Sequence, residues 1–236
     1  MEAGVYTTLT RQSGLMREMQ VVAHNIANIS TTGFRREGVI FSEYVKRMEG
    51  GPSLSMASGN TRHLDLRQAG ISQTGAAFDF AIQGDGFFLI ETPQGQAMTR
   101  AGSFMPNAEG ELVNPDGHRL LDLGGAPIFV PPDAGPVALS SDGTLSAKGQ
   151  PLAQIGLWQP TDPLKLMQQG GATFTSDAVE PVEGATILQG FVEESNVNPI
   201  SEIARMIAVQ RAYEMGQGFM DKEDERMRGV IQALGR

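Results

Sequence analysis

The sequence contains no cysteine and only three histidines, at His24, His63 and His118, among its 236 residues. Without cysteine, disulfide bonds, thiolate metal ligands and cysteine nucleophiles are excluded. Three scattered histidines also leave little material for a histidine-based metal or acid–base site. We therefore expect a protein that is not an enzyme and that holds no cofactor and no metal.

Basic residues and long apolar runs are scarce as well. The 18 lysines and arginines are outnumbered by 27 acidic residues, which gives a net charge of −9 and argues against nucleic acid or an anionic membrane as the main partner. No run reaches the roughly 18 to 20 apolar residues that a membrane-spanning helix needs. The first residues lack the basic and apolar regions of a secretory signal. We expect a chain without membrane insertion that stays in the cytoplasm or leaves it by a route that reads no such signal.

The N-terminal part has apolar residues at helical spacing. Steps of three and four residues between positions 5 and 29 predict a long amphipathic helix with a face of the coiled-coil type. Residues 30–33 predict its end, because Gly33 can adopt the left-handed geometry of a helix C-cap. The apolar stripe contains Val5, Leu9, Leu15, Met19, Val22 and Ile26.

The C-terminal part predicts a second long helix. Asn198 can cap the first amides, Pro199 suits the first helical position, and Glu202 places a negative charge in the first turn. Apolar residues then recur mainly every seven residues, as in coiled coils. This stripe contains Met206, Val209, Tyr213, Met220, Met227, Val230 and Leu234.

Between the helices the sequence consists of short apolar runs separated by glycines. Turn signals at a spacing of about 8 to 12 residues predict an antiparallel all-β domain, either a sandwich or a barrel. We therefore predict an α+β fold with an N-terminal helix at 1–34, an extended connector at 35–74, a β-domain at 75–190 and a C-terminal helix at 191–236. The two helices form a coiled-coil-like pair in this prediction.

Two long helices with one apolar face each must bury those faces. They can close on each other within one chain, or they can pack on other copies of the chain. A lone pair would be marginal, because ordering about sixty residues costs roughly 60 to 120 kcal/mol of backbone entropy. Burial of the stripes offers only about 30 to 60 kcal/mol. Exposed stripes at both ends favour head-to-tail contacts, which generate helical assemblies when the rotation does not close.

Three segments of the sequence resemble the flagellar rod and hook protein family. The segment 23–35 is similar to the family's N-terminal signature, although His24 replaces the usual asparagine. The segments 79–88 and 99–104 resemble the start of the family's β-domain, and 194–214 resembles its C-terminal block. The residues that carry the resemblance are Asn25, Ala27, Asn28, Thr31, Gly33, Phe34, Gly84, Gly86, Phe87, Ser195, Asn196, Val197, Gln210 and Arg211.

The resemblance implies a structural subunit of the bacterial flagellar basal-body rod, the shaft that transmits torque from motor to hook in the periplasm. Such subunits polymerise through their terminal helices and hold the β-domain outside. Its partners would be other copies of the chain, other rod proteins and, in transit, the flagellar type III export apparatus. Length leaves a proximal or a distal rod subunit, and the opening residues 4–9, the run 31–37 and the short connector after Val45 resemble the proximal type more closely. The alternative is a soluble adaptor with a closed helix pair.

Two further patterns suggest ligand sites but favour turns. The segment 84–86 has two glycines around an aspartate, but it lacks the lysine of a P-loop and the third glycine of a dinucleotide fingerprint. The five aspartates of the β-domain match no EF-hand spacing. We interpret both patterns as turn residues. These aspartates are Asp79, Asp85, Asp116, Asp122 and Asp142.

Overall fold

The computed structural model describes residues 2–46, 54–182 and 184–234, and the side chains of 7–40, 63–182 and 184–234. The chain forms two compact units. The first unit combines residues 1–27, 37–65 and 197–236, and the second combines 28–36 and 66–196. Both units are therefore assembled from segments that lie far apart in the sequence.

The first unit contains two long helices, α1 (Glu2–Ala27) and α2 (Pro199–Leu234). The capping residues predict the start of α2 correctly: the Ser201 amide donates to Oδ1 of Asn198 over 3.1 Å, and Pro199 is the first helical residue. The predicted bound of 191 for the C-terminal helix is wrong, because Phe191–Glu193 form a strand. An asparagine at this position satisfies an amide that has no partner inside the helix. The α+β class, with a helix at each end and an antiparallel β-region between them, is confirmed as well.

Two strands of the first unit lie in the stretch that the sequence predicts as an extended connector. Strand β1 (Glu37–Lys46) pairs with β2 (Leu54–Leu64) in antiparallel fashion. A bulge shifts the register between Ile40 and Phe41. The two strands pack against α1. Glycine and serine in this stretch suggest a linker, but the backbone groups can still pair when two segments of similar length lie side by side.

The second unit is all-β among its described residues, apart from a short 3-10 helix at Pro163–Lys165. Its sixteen strands are β3 (Ile71–Gln73), β4 (Phe80–Gln83), β5 (Phe87–Thr92), β6 (Gly95–Thr99), β7 (Met105–Pro106), β8 (Leu112–Val113), β9 (Arg119–Leu120), β10 (Val137–Leu139), β11 (Thr144–Ala147), β12 (Gln150–Gln154), β13 (Leu157–Pro160), β14 (Met167–Gly170), β15 (Thr173–Thr175), β16 (Val179–Pro181), β17 (Thr186–Gln189) and β18 (Phe191–Glu193).

The largest sheet of this unit has nine strands and is built around β5. Its main order is β14-β15-β6-β5-β9-β8-β7, and β13 pairs with both β5 and β16. Strands β10, β11 and β12 form a second sheet, while β4 pairs with β17 and β3 with β18. All pairs are antiparallel. The central position of β5 explains its continuous apolar run, since a strand with neighbours on both edges can be buried on both faces.

The described residues of the second unit form an apolar core. Phe88 belongs to this core, is fully buried and has its ring edge-on to that of Phe104 at a centroid distance of 5.7 Å. Such aromatic pairs add about 0.5 to 1.5 kcal/mol to the burial of the rings. Other fully or almost fully buried members are Phe80, Ile82, Ile90, Leu112, Leu120, Ile128 and Leu145.

The predicted turns are present around this core. Gly117 and Gly143 both have positive φ, near 85°, which suits glycine. Asp142 accepts the Thr144 amide over 3.1 Å, and Asp122 accepts the amides of Gly124 and Ala126 over 2.8 Å. These aspartates therefore bind their own backbone, as the sequence predicts.

Candidate functional site

The helices α1 and α2 pack against each other in antiparallel orientation. Nδ2 of Asn25 lies 3.1 Å from Oε2 of Glu202, and Nε of Arg205 donates to Oε1 of Glu18 over 2.8 Å. Further along, Nε2 of Gln12 donates to the backbone oxygen of Tyr213 over 2.9 Å. As the position on α2 rises from 202 to 213, its partner on α1 falls from 25 to 12. We call the line of these contacts the helix seam.

The predicted interface stripe is divided in the structure. Leu15, Val22 and Val209 are buried. Intermediate exposure is found for Met19, Ile26, Met206, Tyr213 and Met220. The side chain of Val5 lies outside the described residues. The exposed members of the stripe are Leu9, Met227, Val230 and Leu234.

Large apolar side chains are also exposed on α2 away from the predicted stripe. Six such residues are at least 45% exposed: Ile200, Ile203, Ile207, Met215, Phe219 and Ile231. The repeat of seven residues does not include most of them, because Ile200, Ile207 and Met215 lie on other sides of the helix, whereas Ile231 lies on the same side as the stripe. A helical projection of 3.6 residues per turn would have shown that α2 is apolar around more than one face.

A groove opens between the two helices beside Gly216. Its volume is about 350 Å³, and it is lined by Thr8, Arg11, Gln12, Leu15, Ala212, Met215, Gly216 and Phe219. We call it the Gly216 groove. A Cβ atom at Gly216 would lie 2.5 Å from Nε2 of Gln12, so the absence of a side chain at 216 lets Gln12 reach α2. Oε1 of Gln12 is buried and has no hydrogen-bond partner among the described residues.

Asn25, a residue of the N-terminal motif, is fully buried in the first unit. Its Nδ2 donates to the backbone oxygen of Glu37 over 2.8 Å, and its Oδ1 accepts the Glu37 amide over 2.9 Å. Nδ1 of the neighbouring His24 lies 3.5 Å from Oε1 of Glu37. The Asn25 side chain thus bonds inside its own chain, at the start of β1 and at the first turn of α2. Its neighbour Ala27 is exposed.

The residues after α1 form a turn of their own in the second unit. Thr31 donates through its amide to the oxygen of Asn28 and through Oγ1 to Oδ1 of the same residue, over 3.2 and 3.0 Å. Such local bonds compete with helix formation. The helix consequently ends at Ala27, earlier than the predicted stop at 30–33.

Gly33 has the positive φ that the sequence predicts, at 68°, but it does not cap α1. A Cβ atom at this position would collide with the backbone of Arg100 and Ala101. The Gly33 amide donates to the oxygen of Glu193 over 2.8 Å. The requirement for glycine therefore comes from a close approach to another segment, as well as from φ.

A charge cluster is buried directly beside Gly33. Nη2 of Arg35 lies 2.7 Å and Nη1 of Arg100 lies 3.1 Å from the two carboxylate oxygens of Glu193. The Ala69 amide donates to the same carboxylate over 2.8 Å. Burial lowers the pKa of the Arg100 guanidinium, while the nearby Glu193 opposes that shift. Arg100 also lies over the ring of Phe87 at 5.3 Å.

Sequence reasoning placed Arg35 just outside the end of the first helix, but it did not predict a buried ion pair for any of the three members of this cluster. Arg35 and Arg100 lie within recognised motif segments, and Glu193 directly precedes one. The signal that could have found them is the placement of charged residues inside otherwise apolar or glycine-containing runs. Nε and Nη1 of Arg35 have no hydrogen-bond partner among the described residues, although the side chain is fully buried.

The other motif residues have different surroundings. The backbone oxygen of Arg67 and the amide of Arg36 bond to the Asn196 side chain over 3.1 and 2.6 Å. Gly84 and Gly86 have φ values of 112° and 107° and form the turn between β4 and β5, as predicted. Phe34, Phe87 and Val197 are buried, and Ser195 has intermediate exposure. Gln210 and Arg211 are exposed on α2.

Among the described residues, no three histidine, aspartate or glutamate side chains come together in a way that could hold a metal ion. None of the described helices combines the length and the apolar character needed to cross a membrane.

Comparison with known families gives three matches along the chain. Residues 6–35 match the family described as "Flagella basal body rod protein". Residues 81–147 match "Flagellar hook protein FlgE/F/G D1 domain", and 188–233 match "Flagellar basal body rod FlgEFG protein C-terminal". The matches cover most of α1, much of the β-region and nearly all of α2.

Curated relatives match the chain over its whole length. It is 40% identical to the flagellar basal-body rod protein FlgF of Mesorhizobium japonicum, with 100% of this chain and 99% of that protein covered. It is 36% identical to FlgF of Caulobacter vibrioides, with the same coverage. The flagellar basal-body rod protein FlgG of Bacillus subtilis is 29% identical, over 96% of this chain and 97% of that protein. FlgF relatives therefore match this chain better than FlgG relatives do.

Proposed function

Because the chain belongs to the family of flagellar basal-body rod proteins, we propose that it assembles into the rod through α1 and α2. Membership makes it a structural subunit of the bacterial flagellum and not an enzyme, with FlgF as the favoured type. In this proposal the terminal helices form the inner wall of the shaft and the β-region lies outside them. The shaft transmits torque from the motor to the hook.

The observation that carries the proposal is the exposed apolar surface of α2. Ile200, Met215 and Leu234 are 80%, 69% and 82% exposed, although all three are large apolar side chains. Contiguous patches of such side chains mark protein interfaces, and Ile200, Ile203 and Ile207 follow one another at helical spacing with 80%, 51% and 45% exposure. Burial of each such side chain contributes about 1.5 to 3 kcal/mol. Contact with neighbouring subunits would supply that burial.

The helix seam supports a pairing of the coiled-coil type within each subunit. Met206, Tyr213 and Met220 recur every seven residues and are each partly covered. A repeat of seven keeps one side of a helix facing its partner. The seam leaves the other sides of α2 available for neighbouring copies and for other rod proteins. The predicted interface residues are then divided between contacts within a subunit and contacts between subunits.

The β-region supports the outer position because it needs no partner to bury its core. Phe80, Phe88, Leu112 and Leu120 are all completely buried within their own unit. A domain that closes its own core can lie on the outside of an assembly. The helices depend far more on their neighbours, since most of α2 is exposed.

The proposal includes a location and a route. We place the subunit in the proximal, periplasmic part of the rod, because its identity to FlgF relatives exceeds its identity to FlgG relatives. It would reach that site through the flagellar type III export apparatus, with which it interacts only in transit, and without cleavage of a signal peptide. The absence of cysteine suits a chain that moves unfolded into an oxidising compartment.

Electron microscopy of purified basal bodies tests this proposal. A small tag is inserted into an exposed turn of the β-region. The position of the tag density along the shaft is then measured. We expect density at the proximal end of the rod. Density at the distal end would favour the FlgG-like alternative. Absence of the tagged chain from basal bodies of motile cells would contradict a rod subunit.

One observation favours a second candidate, the soluble adaptor. α1 and α2 already pair within one chain, through Gln12 and Tyr213 and through Glu18 and Arg205. An adaptor of this kind would remain monomeric with both helices formed and would never enter rods. Sedimentation of the purified chain, combined with the basal-body experiment, distinguishes it from a rod subunit.

A further inference from the structure

The two helices of the seam differ in length. α1 has 26 residues and α2 has 36. Each step towards the C-terminus of α2 is matched by a step of similar length towards the N-terminus of α1, so the first turn of α1 lies opposite about residue 223 of α2. The last ten or so residues of α2 therefore extend about 15 Å beyond the end of α1. This end of α2 therefore continues the helix seam without a partner from α1.

The side chains on this extension form a regular apolar face. We call residues 227–234 the terminal segment. Its four large apolar residues are Met227, Val230, Ile231 and Leu234, at 46%, 48%, 66% and 82% exposure. Their spacing of i, i+3, i+4 and i+7 is the spacing with which an amphipathic helix lies in an apolar groove.

The Gly216 groove has the character of such a receptor. Leu15 and Ala212 line it from the two helices, and Met215 and Phe219 stand at its margin with 69% and 51% exposure. Gly216 lines the groove without a side chain of its own, which leaves space between Ala212 and Phe219. The terminal segment of the same chain cannot reach it, because α2 continues as one helix from the groove to residue 234.

We propose that the Gly216 groove of one copy receives the terminal segment of a second copy. The inference rests on the proposed function and specifies which surfaces of neighbouring subunits meet. Each copy then carries one groove and one terminal segment at different places on α2. Such a heterologous contact repeats from copy to copy and produces an open helical assembly.

Charge supports this occupant. Arg11 is exposed at the groove and has no ion-pair partner among the described residues. The free carbonyl groups at the end of α2 carry the partial negative charge of a helix C-terminus. A terminal segment lying in the groove brings these carbonyl groups towards the Arg11 guanidinium of the other copy.

Disulfide cross-linking in assembled basal bodies tests the contact. The natural chain has no cysteine, so the background is zero. Two differently tagged full-length chains are expressed together, one carrying Met215→Cys and the other Leu234→Cys. A second mixture combines Phe219→Cys with Val230→Cys. The matched control combines Ile200→Cys with Leu234→Cys, because Ile200 is as exposed as Leu234 but lies at the opposite end of α2.

We expect a disulfide-linked pair of the two tagged chains in at least one groove mixture, at about ten times the yield of the control mixture, because a disulfide requires Cα atoms within about 7 Å. The inference is overturned if the variants are present in basal bodies at wild-type amounts but neither groove pair forms a disulfide, or if the control pair forms one equally well. Either result leaves the proposed function intact. Absence of the tagged wild-type chain from basal bodies would instead overturn the proposed function.

A second measurement covers cysteine variants that fail to enter the rod. Ile231→Glu places a charge on the apolar face of the terminal segment, and Gln232→Glu places the same charge at the exposed neighbouring position outside that face. We expect Ile231→Glu to reduce the amount of chain in basal bodies about tenfold relative to Gln232→Glu, the effect of losing roughly one buried apolar contact. Equal amounts of the two variants would count against the groove contact.

Discussion

Arg35 and Glu193 form a salt bridge of 2.7 Å in which neither side chain is exposed, although 158 residues separate them in the sequence. Arg35 follows α1 in the chain, and Glu193 shortly precedes α2. Arg100 shares the same carboxylate from the strand region between them. The cluster therefore fixes three distant segments of the second unit at one point, and its stability depends on a single acidic group.

Glu193→Gln should destabilise the second unit strongly. The substitution keeps the shape of the side chain but leaves two buried guanidinium groups without a counter-charge, at an expected cost of about 3 to 5 kcal/mol. Arg35→Met should cost less, because Glu193 remains paired with Arg100. Urea unfolding followed through the fluorescence of Trp158, the only tryptophan, measures both.

The matched control for this comparison is Lys165→Met. Lys165 pairs with Asp177 at 3.1 Å, but both side chains are exposed. Exposed pairs contribute less than about 1 kcal/mol. We expect the order of destabilisation Glu193→Gln, Arg35→Met, Lys165→Met. A Glu193→Gln chain as stable as the Lys165→Met chain would show that the cluster does not stabilise the unit.

Gly33→Ala should be more destabilising than Gly75→Ala. Both glycines have similar positive φ values, 68° and 73°, so both variants pay roughly 1 to 2 kcal/mol for the left-handed conformation. Only at Gly33 does the added Cβ also meet backbone atoms, whereas at Gly75 nothing lies within 4 Å. The difference between the two urea midpoints therefore measures the cost of the contact between the added Cβ atom and the backbone of Arg100. Equal midpoints would mean that the backbone moves apart at no cost.

Asn25→Asp should destabilise the first unit by about 1 to 3 kcal/mol, because a buried donor is lost. The new carboxylate would also face the Glu37 carbonyl oxygen and Glu202, which now accept from Nδ2. Thermal unfolding followed by far-ultraviolet circular dichroism measures the effect on the helices. Asn28→Asp is the control, since Oδ1 of Asn28 accepts from Thr31 and an aspartate can do the same. Equal melting of both variants would refute the role assigned to Asn25.

Local patterns predicted the elements that depend on local physics. The start of α2 at Asn198 and Pro199, the glycine turns at 117 and 143 and the two aspartate turns all depend on residues within a few positions of each other. The sequence also predicted which ends of the chain are helical, because apolar periodicity extends over many turns there.

The paired strands β1 and β2 and the buried charge cluster were beyond such patterns. Glu37 pairs with Leu64, and Arg35 with Glu193, across long stretches of chain. A charged residue in a sequence predicts a solvent-exposed side chain, since isolated charges are rarely buried. Nothing in the local sequence shows that Arg35 has a buried carboxylate to neutralise it. The second apolar side of α2 was accessible to sequence reasoning, but only through a projection of the complete helix.

Asp142 provides a prediction on pH. Hydrogen bonds from the Thr144 amide and hydroxyl hold the pKa of the Asp142 carboxyl below its ordinary value of 3.8. A lowered pKa in the folded state means that this stabilisation is complete above the ordinary value and is lost as the pH falls through the lowered one. The Asp142→Ala chain should therefore be less stable than the wild type at neutral pH. The difference in stability between the two chains should become smaller in acid.

Urea midpoints of the two chains at neutral and acidic pH measure the gap. Asp116→Ala serves as the control, because the Asp116 carboxylate makes no hydrogen bond among the described residues. The urea midpoint of the Asp116→Ala chain should stay close to that of the wild type at each pH. If the difference in midpoint between Asp142→Ala and the wild type is unchanged or larger in acid, the lowered pKa assigned to Asp142 is contradicted.

Limited proteolysis of the isolated chain tests how far the helices depend on neighbours. Arg226 and Arg228 are exposed in α2, close to the point where the helix extends past α1. A single helix without tertiary contacts frays within its last turns, so trypsin should cleave at these arginines before it cleaves the β-region. Mass spectrometry of the fragments identifies the first cut. In basal bodies the same sites should be protected, because neighbouring subunits would cover the end of α2. Equal resistance of α2 and the β-region in the isolated chain would show that the helix pair is stable alone, as expected for an adaptor and not for a rod subunit.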